Sequence, residues 1–274
     1  MRVSYQGEPG AYSEQAAIEF FGDAIETLPC ESFDSVFLKV ETGDAERGII
    51  PIENSTAGSI HRNYDLLLQN SLWIVGEQDL TINHCLIAHA GVGLTEIRKV
   101  ISHPQALAQC ERHLRELGEI EVAAVHDTAG SVRLVRAQED TSVAAIASKR
   151  AAEINGMEIL LENFQDDATN LTRFLVVACQ GEKPAGAAKT SIVFTLKNQP
   201  GSLFKALSAF ALREINLTKI ESRPLGGIPW EYLFYVDFSG STEENNVQRA
   251  LEHLNEYATM LRVLGSYPHG RRKK

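Results

Sequence analysis

Through the first two-thirds of the chain, short apolar runs alternate with stretches that repeat their apolar residues at helical spacing. Strand-like runs fall at residues 3–5, 48–52, 99–102, 122–125 and 143–147, and helix-like stretches at 13–21, 60–68, 105–117 and 130–137. Strand followed by helix, repeated, predicts parallel, doubly wound α/β sheets. A longer β-rich stretch, 72–90, breaks this rhythm and predicts a link between two such lobes, the second covering roughly 80–165. The apolar run 173–179 comes late and is expected to cross back to the first lobe, so that residues 1–179 form one two-lobed domain around a cleft.

Residues 180–188, Gln-Gly-Glu-Lys-Pro-Ala-Gly-Ala-Ala, have no periodicity and read as a linker. Residues 189–268 then spell β-α-β-β-α-β. The run 190–196 alternates, and Pro200-Gly201 opens a helix with Leu203, Phe204, Leu207 and Phe210 on one face. A strand follows at 215–222. Trp230, Tyr232, Phe234, Val236 and Phe238 are expected along one face of the next strand, ahead of a helical stripe from Val247 to Tyr257 and a closing strand at 260–264. This order predicts a ferredoxin-like fold, an antiparallel sheet with two helices on one face.

Length and composition suit such a two-domain protein: 274 residues, 44% hydrophobic and 23% charged. The net charge of −10 argues against a nucleic-acid partner. The dense basic run Arg271-Arg272-Lys273-Lys274, within a tail at 269–274, reads as a solvated end. Cys30, Cys85, Cys110 and Cys179 are widely spaced and read as buried free thiols of a reducing compartment. No apolar run is long enough to span a bilayer, and the chain begins without a leader-like segment, so no membrane partner and a cytosolic location are expected.

The candidate chemistry sits where predicted strands hand over to helices. The junctions are Tyr5 to Ser13, Pro51 to Ser59, Ser102 to Gln105 and His126 to Ser131, each rich in Ser, Thr, Gly or Pro. As single features they are ordinary helix caps. As a set they fit one crevice beyond the strand ends, where free helix N–H groups hold an anion without many arginines. A further run, Gln165-Asp166-Asp167-Ala168-Thr169-Asn170-Leu171-Thr172-Arg173-Phe174, packs polar groups against the start of an apolar strand. His61, His84 and His103 lack a partner motif and read as structural. No nucleophile elbow, phosphate loop or metal-binding spacing is present, so neither metal nor cofactor is expected.

These motifs resemble the prephenate dehydratase family and its close relatives, the arogenate dehydratases. The resemblance lies in Pro51-Ile52-Glu53-Asn54-Ser55 with Gly58-Ser59-Ile60, Ser102-His103-Pro104-Gln105 with Gln109-Cys110, Asp127-Thr128-Ala129 and Asn170-Leu171-Thr172-Arg173-Phe174. It continues through Glu221-Ser222-Arg223-Pro224 into an ACT regulatory domain at 189–268. The resemblance implies conversion of prephenate to phenylpyruvate with loss of water and carbon dioxide, or of arogenate to phenylalanine. It implies Thr172, Asn54, Gln109 and Glu53 as catalytic residues. Substrate contacts are implied at Ser55, Gly58, Ser59, Ser102, Gln105, Asp127, Thr128, Ala129, Arg173 and Phe174. For Arg173 two roles stay open, holding the side-chain carboxylate or bracing the loop.

The resemblance further implies phenylalanine as feedback effector, bound between paired ACT domains of a homodimer or tetramer. Its residues would be Gly201, Ser202, Leu203 and Phe204 with Glu221, Ser222, Arg223 and Pro224. The family's Gly-Ala-Leu-Val is here Gly201-Ser202-Leu203-Phe204, which changes the size and polarity of that pocket. The competing reading is a non-catalytic binding module, since two lobes around a cleft also build solute-binding proteins.

Overall fold

The alternation of short apolar strands with amphipathic helices produces two mixed α/β sheets, followed by a four-stranded antiparallel one. The computed structural model describes residues 1–270; the Arg271–Lys274 end of the expected tail lies outside the described residues. In chain order the first elements are β1 (Arg2–Gln6), α1 (Tyr12–Phe21), β2 (Glu26–Cys30), α2 (Phe33–Glu41), β3 (Arg47–Asn54), β4 (Gly58–Ser59), α3 (His61–Gln69) and β5 (Trp73–Thr81). Next come β6 (Cys85–Ala88), β7 (Lys99–Ser102), α4 (Pro104–Gln109), α5 (Glu111–Glu116), β8 (Glu121–Ala124), α6 (Thr128–Arg136), β9 (Val143–Ala147), α7 (Lys149–Asn155), β10 (Glu158–Leu161) and β11 (Leu171–Ala178). The C-terminal set is β12 (Ala188–Leu196), α8 (Ser202–Ala211), β13 (Leu217–Pro224), β14 (Tyr232–Ser239), α9 (Asn245–Asn255) and β15 (Ala258–Pro268).

The chain forms two compact units, Met1–Tyr64 with Gln78–Phe174, and Asp65–Glu77 with Leu175–Lys274. The first unit contains two lobes. One lobe has strand order β2-β1-β3-β11-β5, with only residues 171–174 of β11 and 78–81 of β5 belonging to this unit. β1 pairs parallel with both β2 and β3. The other lobe has order β10-β6-β9-β7-β8; β7 runs parallel to β8 and β9, while β6 and β10 are antiparallel. The start of β11 lies beside β3, the crossing back expected from the sequence, and the 72–90 stretch supplies β5 to one sheet and β6 to the other.

Some elements were not legible as periodicity. β2 carries Pro29 and polar Glu26 and Thr27, tolerable because it is an edge strand that lends few backbone donors. The expected helix at 105–117 is broken at Cys110, whose backbone (φ −119°, ψ 16°) leaves the helical region. The Gln109 carbonyl accepts the Asp166 N–H at 2.7 Å. The Asp166 carboxylate accepts the Arg112 and His113 N–H groups at 2.9 and 3.3 Å, capping α5 from a distant loop.

In the second unit the strand order β13-β14-β12-β15 with α8 and α9 on one face is the ferredoxin-like arrangement. Ile192, Phe194, Phe210, Val236, Phe238 and Leu254 form its core. Trp230 departs from the expected strand: it sits in the preceding turn at φ 65° and is 80% exposed. All nine residues of β12 are buried, including Lys189, whose ammonium is 2.7 Å from both Glu77 carboxylate oxygens. Gly265 of β15 approaches Ile74 so closely that a Cβ would lie 2.0 Å from its carbonyl oxygen, so only glycine fits.

Cys30, Cys85 and Cys110 are buried free thiols, whereas Cys179 is exposed, contrary to expectation. Among the described residues, no helix is long and apolar enough to cross a membrane and no cluster is placed to hold a metal ion.

The turn from β1 into α1 is fixed by a buried carboxylate. Glu14 accepts Gly10 N–H at 2.7 Å, Thr27 Oγ1–H at 2.9 Å and Arg150 Nε–H at 2.9 Å. Burial alone would raise its pKa, but the bonds from Arg150, Gly10 and Thr27 hold the carboxyl below its ordinary value. A depressed native pKa adds stability that is complete above the unfolded value and is lost as pH falls through the native one. Glu14→Gln is therefore expected to cost about 1–3 kcal/mol near neutral pH. That difference should shrink below about pH 4.3, the ordinary carboxyl range, as read by denaturant unfolding at several pH values.

Candidate active site

Four helices of the first unit begin at one cleft of about 530 Å³. Ala11, Tyr12 and Ser13 of the α1 turn and Ser32, Phe33 and Asp34 of the α2 turn come from one lobe; Gln105 of α4 and Asp127 and Thr128 of α6 come from the other. Each helix start leaves backbone N–H groups without intrahelical partners. Side-chain caps take one at each of three: Ser32 Oγ accepts Ser35 N–H at 3.2 Å, His103 Nδ1 accepts Gln105 N–H at 3.1 Å, and Asp127 Oδ1 accepts Gly130 N–H at 2.5 Å, while α1 has no side-chain cap.

Among the described residues no lysine or arginine lines the cleft; its charged lining side chains are Glu31, Asp34 and Asp127. Asp34 is paired with Arg62. The groups the cleft offers an anion are therefore peptide N–H groups at helix starts, not cationic side chains.

The floor of the cleft is a network of uncharged groups centred on Asn54, where β3 ends. Its Nδ2 donates to Thr172 Oγ1 at 2.9 Å, to Asn170 Oδ1 at 2.8 Å and to Leu171 O at 3.3 Å. Its Oδ1 accepts Thr56 N–H at 3.1 Å, Ala57 N–H at 2.9 Å and Thr56 Oγ1–H at 2.7 Å. Gln109 Nε2 donates to Thr56 Oγ1 at 2.9 Å, and Gln109 Oε1 lies 3.0 Å from His84 Nε2. His84 Nδ1 lies 2.8 Å from the Tyr12 hydroxyl. Asn54, Gln109 and Thr172 all border the cleft, and Thr172 is only 7% exposed. Gln105, Asp127, Thr128 and Phe174 border it as well.

Other expected contacts are placed elsewhere. Ser102 is fully buried and its hydroxyl donates to Ile146 O at 2.5 Å, tying β7 to β9, and it does not border the cleft. Ser55 Oγ donates to Thr169 O and accepts Leu171 N–H, bracing the β3 end against the 165–172 loop. Gly58, Ser59 and Glu53 belong to the β3–β4 ladder, with Glu53 opposite Ser59, and do not border the cleft. Ala129 is buried inside α6. Arg173 is half-buried on β11 and also absent from the cleft lining.

Tyr12, His84 and Ser32 also border the cleft and were not among the site residues expected from the sequence. Tyr12 stood inside a flagged junction, but nothing in the spacing set it apart from its neighbours. His84 was set aside as structural because its partners, Tyr12 and Gln109, lie 72 and 25 residues away. Ser32 follows the strand that went unrecognised.

The effector residues expected from the sequence lie in the second unit. Gly201 adopts φ 78° at the start of α8, Leu203 packs against the core and Phe204 is 77% exposed. Glu221, Ser222, Arg223 and Pro224 close β13, an edge strand, and Arg223 Nη2 pairs with Asp65 at 2.7 Å.

Comparison with known proteins agrees with this layout. The prephenate dehydratase family model matches residues 3–182 and the ACT domain model residues 190–258. The chain is 52% identical to arogenate dehydratase/prephenate dehydratase 2, chloroplastic, of Arabidopsis thaliana, over 98% of this chain and 73% of that one. A structure of prephenate dehydratase from Arthrobacter aurescens in complex with L-Phe superposes with TM-score 0.90 at 31% identity, covering 99% of this chain and 90% of that one. A structure described as a novel type of quorum quenching acylase superposes equally well, TM-score 0.90 at 35% identity over 98% of both chains.

The cytosolic expectation is overturned by the Arabidopsis relative, a chloroplastic protein by name; neither the thiols nor the first residues of the chain assign it to the cytosol. With both models matched in order across nearly its whole length, the chain belongs to the prephenate dehydratase family and carries a C-terminal ACT domain.

Proposed function

We propose that the chain removes water and carbon dioxide from prephenate to form phenylpyruvate, with Thr172 as the donor to the departing oxygen. The observation that carries this reading is the Asn54–Thr172 hydrogen bond. Asn54 Nδ2 fills an acceptor position on Thr172 Oγ1, so the threonine's own hydrogen is left to point away from Asn54.

The substrate is a cyclohexadienol carrying a ring carboxylate, a ring hydroxyl and a keto-acid side chain. As the carboxylate leaves as carbon dioxide, its bonding electrons enter the ring and expel the hydroxyl from the far carbon. Aromatisation drives the step, so the enzyme needs chiefly to stabilise the departing hydroxide, which ends as water with one proton taken from solvent. A positioned donor of this kind contributes about 10²–10⁴-fold. Gln109 and Gln105 orient the substrate, and the helix starts at Ser13, Ser32 and Thr128 hold its carboxylates. A cleft lined by no arginine among the described residues suits the ring carboxylate, because a strong ion pair would stabilise the charge that must be lost.

Thr172→Ala is expected to lower kcat about 10²–10⁴-fold with an unchanged unfolding transition, whereas Thr172→Ser keeps a donor and retains more activity. Near-normal turnover by Thr172→Ala removes Thr172 from the mechanism.

A second reading, arogenate as substrate, is favoured by the Arabidopsis relative's double name. It differs by an amine in place of the keto group. Side-by-side turnover of prephenate and arogenate decides between them: a preference for prephenate is expected, and preferential formation of phenylalanine from arogenate reverses the assignment. The acylase likeness adds a third arm, in which an N-acyl amide should remain uncleaved. Amide hydrolysis needs an activated nucleophile, and the cleft's Thr172 hydroxyl faces an amide, not an imidazole.

Regulation is assigned to the second unit, with phenylalanine as effector held near Gly201–Phe204 and Glu221–Pro224 of paired chains. β13 presents an open edge, and Phe204, Ile220 and Trp230 are exposed beside polar neighbours, features that favour side-by-side pairing. A mass of twice or four times 30.2 kDa is expected in light scattering. Ile220→Lys should yield monomers that keep turnover and lose inhibition by phenylalanine. A monomeric parent protein that phenylalanine still inhibits contradicts this arrangement.

A further inference from the structure

Backbone groups whose roles are fixed set the hydrogen-bond directions around Asn54, Thr56 and Gln109 on the cleft floor. Thr56 N–H and Ala57 N–H can only donate, and both meet Asn54 Oδ1. Leu171 O can only accept, and it meets Asn54 Nδ2. Thr56 Oγ1, 2.7 Å from Asn54 Oδ1, must therefore spend its hydrogen there. Toward Gln109 it offers only lone pairs, so the Gln109 atom 2.9 Å away is the amide nitrogen. That turns Gln109 Oε1 to His84 Nε2 at 3.0 Å, where a hydrogen is required.

A neutral imidazole carries one N–H. His84 is 2% exposed, and burial pushes its pKa below the ordinary value against a smaller opposing effect of Gln109. With the hydrogen on Nε2, Nδ1 is bare and takes the hydrogen of the Tyr12 hydroxyl at 2.8 Å; the same hydroxyl lies 2.9 Å from Asn83 O, but Asn83 is exposed and its carbonyl has solvent to turn to, whereas buried Nδ1 has no other donor. Burial keeps that phenol protonated by raising its pKa. The ring stands on a fixed backbone: Gln165 Oε1 accepts His84 N–H at 2.8 Å and Phe164 N–H donates to His84 O at 2.7 Å.

We propose that His84 is a positioning residue of the reaction: as the Nε2–H tautomer it holds the Gln109 carbonyl and thereby turns the Gln109 amide hydrogens toward Thr56 and the substrate cleft. The opposite tautomer sets a lone pair against Gln109 Oε1. If Gln109 flips to relieve that, its carbonyl meets Thr56 Oγ1, whose hydrogen is already committed, and the cleft faces an acceptor. The imidazole thus sets the sign of the Gln109 contact with a substrate oxygen, while touching no reacting atom itself. This deepens the dehydratase reading and depends on it only for the kinetic part of the test.

The first measurement is ¹⁵N NMR of the histidine rings in the unliganded, full-length chain, with His84 assigned by its absence in His84→Gln. A protonated Nε2 and bare Nδ1 are expected; a protonated Nδ1 with bare Nε2 overturns the proposal whatever the activity. The second is kinetic. His84→Leu removes the donor, while His84→Gln places an amide N–H near the Nε2 position. His84→Leu should lose about 10- to 100-fold in kcat, and His84→Gln should recover to within about threefold of the parent. Equal losses in both, or parent-like kcat in His84→Leu, reduce His84 to a packing role and contradict the proposal. A parent protein that turns over neither prephenate nor arogenate strikes the dehydratase reading instead, and the tautomer then decides this proposal alone.

Discussion

One side-chain amide holds the active cleft together. Asn54 stands at the end of β3 and reaches the loop and strand start at residues 170–172, more than 110 positions later in the chain. Its oxygen is claimed by two backbone donors and its nitrogen by a backbone carbonyl, so the amide cannot turn over without leaving buried polar groups unpaired. That rigidity reaches Thr172 as an acceptor position already occupied, and reaches Gln109 through Thr56. Substituting aspartate would keep the shape and reverse the sign at Thr172, which is why an amide and not a carboxylate serves here.

The cleft is lined by no lysine or arginine among the described residues. An acidic chain that must bind a substrate with two carboxylates would ordinarily need arginines. Here the starts of α1, α2, α4 and α6 converge instead, and their peptide N–H groups supply diffuse positive potential. Diffuse attraction binds an anion and does little to resist loss of one carboxylate as carbon dioxide. The break at Cys110 belongs to the same design, since ending α4 there presents Gln109 at a helix terminus while Asp166 caps the next helix.

Most of the architecture was legible because it rests on local periodicity: the two lobes, the crossing back of β11 and the ferredoxin-like order of the second unit. What was not legible depended on distant partners. β2 hid because an edge strand tolerates Pro29. β12 gave no sign that both its faces would be covered, because the cover for Lys189 is Glu77, 112 residues earlier. Among site candidates, Ser102 and Ser55 looked like ligands because a hydroxyl at a strand end carries the same sequence signal whether it faces a cleft or a neighbouring carbonyl. His84 failed in the opposite direction, dismissed for want of a nearby partner and then found between Tyr12 and Gln109.

In the proposed mechanism an uncharged hydroxyl, oriented by an amide, meets the oxygen that leaves. The most direct measurement is a structure of the protein bound to a ring-reduced substrate analogue that keeps the ring hydroxyl and cannot aromatise. Thr172 Oγ1 is expected within about 2.6–3.2 Å of that hydroxyl, the reach of a functioning proton donor. A bound analogue whose hydroxyl is held by a histidine or a carboxylate, with Thr172 out of reach, contradicts that mechanism.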